Sequence, residues 1–208
     1  MSAPLPMDEG LLSMGVEVDA AARERLARHL ELVAKWNRVH NLTAVREPAQ
    51  MVVLHTLDSL SLLPHLAHAA SLADIGTGAG FPGIPIAIAR PEMRVALVES
   101  SHKKCAFLEQ AKTELGLGNV QVVCERVEQW RPAAGFDIVA SRAFAELSDF
   151  VTQAAHLLAP GGRMLAMKGV HPFDEIARVP STHRVAQVVE LKVPSLDARR
   201  HLVFLEAA

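Results

Sequence analysis

The densest chemical signal in the 208-residue chain is the run Asp74-Ile75-Gly76-Thr77-Gly78-Ala79-Gly80-Phe81-Pro82-Gly83. It follows one apolar stretch and precedes another, which sets it between a strand and a helix. Glycine admits a tight turn and leaves no Cβ between the backbone and a ligand, and free amides at the next helix start favour a polar or anionic group. Spacing alone leaves two ligand classes open. A nicotinamide fingerprint needs G-x-G-x-x-G. Counted from Gly76 it fails, because Phe81 stands where the last glycine belongs; counted from Gly78 it is met by Gly80 and Gly83. The G-x-G-x-G core of Gly76, Gly78 and Gly80 directly behind an acidic strand residue is the usual form for S-adenosylmethionine (AdoMet). A purely structural turn is disfavoured by so many glycines and prolines at one strand end.

Two acidic positions extend this signal. Glu99 closes the second predicted strand, where a carboxylate can accept hydrogen bonds from both hydroxyls of an adenosine ribose. Alone, Glu99 reads equally well as a solvated partner of Lys103 or Lys104; joined to the glycine loop, the ribose role is favoured. Val127-Glu128, just past the third strand, stands where such folds hold the adenine edge. Compact single-domain dehydrogenases use a tyrosine beside a lysine, and this chain has no tyrosine. A two-domain dehydrogenase needs more than 208 residues, so AdoMet is the better ligand.

Methyl transfer from a sulfonium is an in-line displacement in which the cofactor supplies the electrophile and the protein positions and dries the site. Methylation of an exocyclic amine usually employs an Asn/Asp-Pro-Pro-aromatic motif after the fourth strand, but Ser141-Arg142-Ala143-Phe144 stands there. Methylation of pyrimidine carbon five needs a nucleophilic cysteine, and Cys105 and Cys124 read most simply as small, separate core residues. A ring nitrogen with a free lone pair, such as guanine N7, needs neither device and is compatible with this inventory. Basic residues gather on the same loops: Lys103, Lys104, Arg126, Arg142, Lys168, Arg199 and Arg200. Each taken singly reads as a solvated cation. Arg142 is the exception, because an unpaired charge after an apolar strand and beside Phe144 has little reason to be there.

The elements that must position these residues fall into two parts. Residues 1–70 read as a helical segment: Asp19 caps a helix whose Leu26, Leu30, Val33 and Asn37 share one face, a polar turn runs from Asn37 to Thr43, and Pro48 opens a further stripe that Pro64 ends. Residues 71–208 read as the AdoMet-binding domain, joined with the first part in one compact unit. Its predicted strands are Leu72–Ile75, Val95–Val98, Val120–Val123, Phe136–Ala140 and Arg163–Met167, with a helix capped by Ser101 and ended by Gly116 between the second and third. Val185–Val193 and Leu202–Leu205 leave no room for a helical crossover and read as an antiparallel hairpin. The fold class is therefore α/β: a Rossmann-like class I methyltransferase sheet of five parallel strands plus a C-terminal antiparallel hairpin, with an N-terminal helical extension.

Half the residues are hydrophobic and about a fifth are charged, an ordinary globular composition. The net charge of −2 gives no global basic field, so any RNA contact must come from local clusters. No CxxC or HExxH motif is present, no metal is expected, and no apolar run approaches the ~20 residues that span a bilayer. The first residues lack the basic-then-apolar pattern of a signal peptide. A reduced, cytoplasmic monomer without membrane contact is expected.

Several short segments together resemble one family. They are Lys35-Trp36-Asn37 with Asn41-Leu42-Thr43, His55-Thr56-Leu57-Asp58-Ser59-Leu60, Asp74 to Gly83, Glu99-Ser100 with Lys103-Lys104, Arg126-Val127-Glu128, Ser141-Arg142-Ala143-Phe144-Ala145 and Lys168-Gly169. The combination resembles the bacterial small-subunit (16S) ribosomal RNA guanine-N7 methyltransferase family, RsmG or GidB (glucose-inhibited division protein B). The resemblance implies AdoMet as cofactor, 16S ribosomal RNA or the small ribosomal subunit as partner, and methylation at N7 of one guanine near the decoding centre, the loss of which is linked to streptomycin resistance. It carries cofactor contacts onto Gly76, Phe81, Val127 with Glu128, and Arg142, and suggests Asn41, His55, Arg126 and Lys168 for the RNA side. Two other readings stay open: a small-molecule AdoMet methyltransferase with the N-terminal helices as a lid, and a binding module without catalysis.

Overall fold

The computed structural model describes residues 7–208, so the first six residues of the expected 1–70 segment lie outside it. The chain opens with α1 (Met7–Ser13) and the long α2 (Ala20–His40). Asp19 caps α2, its carboxylate accepting from the Ala22 amide at 2.7 Å. The helix ends at Asn41, whose φ of 48° breaks the helical path. The polar turn expected from Asn37 therefore starts later. Asn37 is buried on the helix's inner face, and its side chain accepts from the Thr43 amide at 3.0 Å.

Pro48 opens α3 (Pro48–Met51), which widens into a π-helical stretch, Val52–Leu57, before α4 (Asp58–Leu60). Such widened turns are rare and gather at functional sites. Here the turn carries Leu54 and His55 and delivers Asp58 immediately after it.

A seven-stranded sheet follows: β1 (Ser71–Ile75), β2 (Arg94–Val98), β3 (Val120–Val123), β4 (Phe136–Ser141), β5 (Leu158–Lys168), β6 (His183–Glu190) and β7 (His201–Ala207), in the order β3-β2-β1-β4-β5-β7-β6. The first five are parallel; β7 runs antiparallel to β5, and β6 antiparallel to β7. The expected strands and edge hairpin are thus present, each within a few residues of its predicted ends except β5, which begins five residues earlier.

Strand alternation divides the core in two. Leu72, Leu97, Ile138, Leu165, Leu202 and Phe204 face α2, α5 (Gly83–Ala89) and α6 (His102–Leu115). Ala73, Ile75, Val98, Val139, Ala166 and Val203 face α7 (Leu147–Ala154). The N-terminal helices share the first of these cores, with Leu26, Leu30, Val33 and Leu57 buried among the strand residues. The chain order reverses between β1 and β4, and open α/β sheets bind ligands beyond the carboxyl ends of strands at such a switch point.

Two local expectations are corrected. Ser101 starts α6 without a side-chain cap; its amide instead donates to Glu99 at 2.9 Å, because the strand-end carboxylate turns back over the helix start. Cys105 and Cys124 are not separate core residues: their side chains meet between α6 and the segment after β3, with Cα atoms 5.8 Å apart. Antiparallel packing of α6 on β3 sets the start of the helix beside the end of the strand and brings together two positions 19 apart in sequence.

Candidate active site

The glycine loop folds as its composition requires. Gly76, Gly78 and Gly80 have φ of 67°, 62° and 85°, in the left-handed region where other residues are strained. Gly76 has a second constraint: a Cβ there would lie 2.9 Å from the Ala143 Cβ. The buried Asp74 carboxylate holds the loop from beneath, accepting from the Thr77 hydroxyl at 2.5 Å and the Gly83 amide at 2.8 Å through Oδ2. Burial pushes its pKa up to about 6, against the lowering effect of those two bonds. Its other oxygen, Oδ1, is buried and has no partner among the described residues.

Beyond this loop lies a cavity of about 180 Å³ at the ends of β1 to β4. Gly76, Glu99, Arg126, Val127, Glu128, Ala143 and Phe144 line it. Glu99 is nearly buried, and its carboxylate already accepts from the Gly78 amide at 3.1 Å and the Ser101 amide at 2.9 Å, with Lys104 at 3.6 Å. Each carboxylate oxygen has a further lone pair, so ribose hydroxyls can add to these bonds. Val127 is buried, while Arg126 and Glu128 are exposed at the rim. A positive-φ glycine floor and a pre-oriented carboxylate suit AdoMet. Of the expected cofactor residues, Gly76, Glu99, Val127 and Glu128 line this cavity.

A second cavity, about 420 Å³, opens on the other side of the turn after β4 and is lined by Val45, Leu54, His55, Asp58, Arg142, Met167, Lys168, Gly169 and Arg200. At its base the fully buried Asp58 receives two guanidiniums: Arg142 Nη1 donates to Oδ2 and Arg200 Nε to Oδ1, each at 3.1 Å. Arg142 Nη1 also donates to the Leu54 carbonyl in the π-helical turn at 3.0 Å. Arg142 is therefore not the unpaired charge that its sequence position suggests. Lys168 directs its ammonium to Glu175 at 2.7 Å and to the carbonyls of Phe144 and Ala145 at 3.1 and 2.8 Å. These use all three of its donors, so Lys168 clamps the Ser141–Ala145 turn. With Glu175 neutralising Lys168, the cavity retains one uncompensated positive charge.

His55 lies in the wall of this cavity, its Nδ1–H on the Leu54 carbonyl at 3.0 Å and its Nε2 accepting from the Thr43 hydroxyl at 2.9 Å. Burial, then the nearby Arg142, lower its pKa to about 4, so it is neutral at pH 7. Phe81 is not among the residues lining the first cavity. It is buried in the core behind the loop, its ring 4.6 Å from His55 and 4.8 Å from His29. Asn41 lines neither cavity; it sits exposed at the end of α2 and accepts from Arg46 at 2.9 Å.

Asp58, His29 and the pairing of Arg200 are the residues that reading by motif overlooks. Asp58 has its partners 84 and 142 positions away, beyond any spacing rule. His29 was findable: it falls between Leu26 and Leu30 on the apolar face of α2, where a histidine needs a partner. Its Nε2 donates to the Ala79 carbonyl at 2.9 Å and ties the glycine loop to α2; burial lowers its pKa to about 4.

Among the described residues no group of three His, Cys, Asp or Glu is placed to hold a metal, and no helix is long and apolar enough to cross a membrane. A larger concavity, about 1050 Å³ beside Met14 and Pro194, contains none of the glycine-loop residues.

Known proteins give the chain a family and a fold. A family profile described as GidB, rRNA small subunit methyltransferase G, matches residues 22–203. Proteins named ribosomal RNA small subunit methyltransferase G share 52% identity in Nitrosospira multiformis, covering 100% of this chain and 99% of the relative, and 54% in Aromatoleum aromaticum, covering 96% and 97%. Among solved structures, the O-methyltransferase TomG of Streptomyces achromogenes, in complex with SAM, superposes with a TM-score of 0.62 at 17% identity over 97% of this chain and 96% of TomG. TrmN of Thermus thermophilus gives 0.56 at 17% identity over 72% of this chain and 48% of TrmN. At such identities these two show the fold, a class I methyltransferase.

Proposed function

This chain belongs to the GidB family, rRNA small subunit methyltransferase G, and on that premise we propose that it transfers the methyl group of AdoMet to N7 of one guanine in 16S ribosomal RNA near the decoding centre. One observation carries the reading: consecutive residues of a single turn, Arg142 and Ala143, line two different cavities. The Ala143 side has a glycine floor and a carboxylate, and the Arg142 side has a net positive charge. A donor and a polyanionic acceptor thus approach one turn from opposite sides.

In this reading Gly76, Gly78 and Gly80 shape the donor floor, Glu99 takes the ribose hydroxyls, and Val127 with Glu128 border the adenine. Phe81 and His29 support the loop from behind. AdoMet, when bound, supplies an electrophilic methyl group. Guanine N7 carries no proton, so no side chain has to act as a base, and the neutral, hydrogen-bonded His55 fits that requirement. Arg142 and Arg200, fixed by Asp58, offer N–H groups to a base oxygen or a phosphate, and Arg guanidiniums recognise both well. Arg126 at the rim of the donor cavity and Asn41 outside both cavities meet RNA. Residues 1–70 work with 71–208 as one unit, since the first segment supplies His55 and Asp58 to the acceptor cavity. The protein acts in the cytoplasm as a monomer on the small subunit or its RNA, and its loss confers streptomycin resistance.

The test is transfer of labelled methyl from AdoMet to small subunits from cells lacking the protein, followed by borohydride reduction and aniline cleavage, which cut the RNA at N7-methylguanine. Cleavage at a single guanine is expected. Label appearing only in small molecules, with or without subunits, would favour the metabolite reading.

A further inference from the structure

Beyond Lys168 the chain runs through Gly169, Val170, His171 and Pro172 into α8 (Phe173–Ile176). Val170 is 76% and Phe173 73% exposed, two of the four exposed large hydrophobic residues among those described. Single exposed apolar side chains are ordinary, but these two share one short loop. The His171 ring also stacks on Phe173, with centroids 3.8 Å apart and planes 27° from parallel.

The loop is held firmly, so exposure of Phe173 is not a product of slack. Glu175 receives Lys168 at 2.7 Å and the Leu147 amide at 3.0 Å. Pro172 is buried, Ile176 packs on the core facing α7, and the Ile176 amide bonds back to the Pro172 carbonyl at 3.1 Å. His201, buried under the loop, meets the His171 ring edge-on at 5.5 Å. The aromatic pair begins two residues past Gly169, which lines the cationic cavity together with Arg142, Lys168 and Arg200.

The geometry points to His171 and Phe173 as a stacking platform for an unpaired nucleobase next to the target guanine, an inference that rests on the RNA reading above. Sequence-specific RNA recognition uses splayed, unstacked bases laid on aromatic rings, and the phosphates between such bases need cations close by. The platform supplies the ring faces, and Arg200, with the uncompensated charge of the adjoining cavity, supplies the cation. A protein partner or a second copy of this chain would also cover apolar surface, but the continuity with a cavity of positive charge favours a polyanion.

The experiment compares wild type, Phe173→Ala and Phe173→Trp. It measures KM for unmodified small subunits and kcat in steady-state methyl transfer, AdoMet affinity by calorimetry, and mass in solution by sedimentation. Phe173→Ala should raise KM for subunits about tenfold, the effect of one lost base–aromatic stack. AdoMet affinity and kcat at saturating subunits should be unchanged, and Phe173→Trp should restore KM. An unchanged KM in an active Phe173→Ala protein would overturn this inference alone. So would weakened AdoMet binding, which would make the ring a structural support, or a wild-type dimer dissociated by the substitution. A wild-type protein that methylates no ribosomal RNA would remove the parent reading and this one with it.

Discussion

The cavity around Gly76 and Glu99 takes its walls from the ends of β1 to β4 and a single residue of α7, whereas the cavity around Asp58 gathers side chains from positions as distant as 45 and 200. The first is shaped largely by backbone: positive-φ glycines, a loop amide on Glu99, a close approach at Ala143. The second is shaped by long charged side chains converging on one buried carboxylate. A donor common to many reactions can be held by local geometry repeated within one short motif. An acceptor specific to one reaction is recognised by residues that only the folded chain assembles. Damage should therefore be mild and local on the donor side, and cooperative on the acceptor side.

Removing Asp58 is the strongest way to test that contrast. Asp58→Ala leaves two guanidiniums facing each other over a buried position, and breaking a buried pair from one side costs about 3–5 kcal/mol. Arg142 and Arg200 each retain some solvent contact, so we expect about 3 kcal/mol in urea unfolding, with methyl transfer lost as well. A stability change under 1 kcal/mol would show that Asp58 does not organise the acceptor side.

Acid sharpens the same contrast because the two sides respond differently. His29 and His55 have folded pKa values of about 4, below the ordinary 6.5. The unfolded chain therefore binds more protons, and the stability present above pH 6.5 is lost as pH falls towards 4, by about 3 kcal/mol per histidine. Asp74 has the opposite sign: its folded pKa of about 6 lies above the ordinary 3.8, so acidification through that window favours the folded state by a similar amount. His29 and Asp74 both support the glycine loop and largely cancel, leaving His55 unopposed. Wild type should lose about 3 kcal/mol between pH 6.5 and 4. His55→Gln should flatten that slope, whatever its stability at pH 7, and an equal slope in His55→Gln would locate the acid sensitivity elsewhere.

The same division explains what could be read from the sequence. Alternating and continuous apolar runs revealed all seven strands, and glycine punctuation located the loop, because both signals are local. The π-helical turn at Val52–Leu57 has no such signature: its apolar stripe fits an ordinary helix. The resemblance carries a cofactor contact onto Phe81, whose ring packs against His29 and His55 in the core. Lys168 reads as a phosphate ligand, and Glu175 with two carbonyls takes its donors instead. In each case a tertiary contact decided the outcome, and such contacts leave no periodic mark.

The smallest effect is expected at Gly76. Gly76→Ala would force a side chain into a left-handed backbone at about 1–2 kcal/mol and press its Cβ on Ala143. AdoMet affinity should fall about tenfold with KM for subunits unchanged, as read by calorimetry and steady-state transfer.

The separation of donor and acceptor cavities at the Arg142–Ala143 turn is tested most directly by one pair of variants in one assay. Glu99→Gln and Arg200→Gln are compared in steady-state methyl transfer with AdoMet and small subunits varied in turn. Glu99→Gln should raise KM for AdoMet at least tenfold and leave KM for subunits unchanged, since hydrogen bonds to charged groups contribute about 1.5–3 kcal/mol. Arg200→Gln should do the reverse. If both variants shifted the same constant, the two cavities would be one site and the account would be wrong.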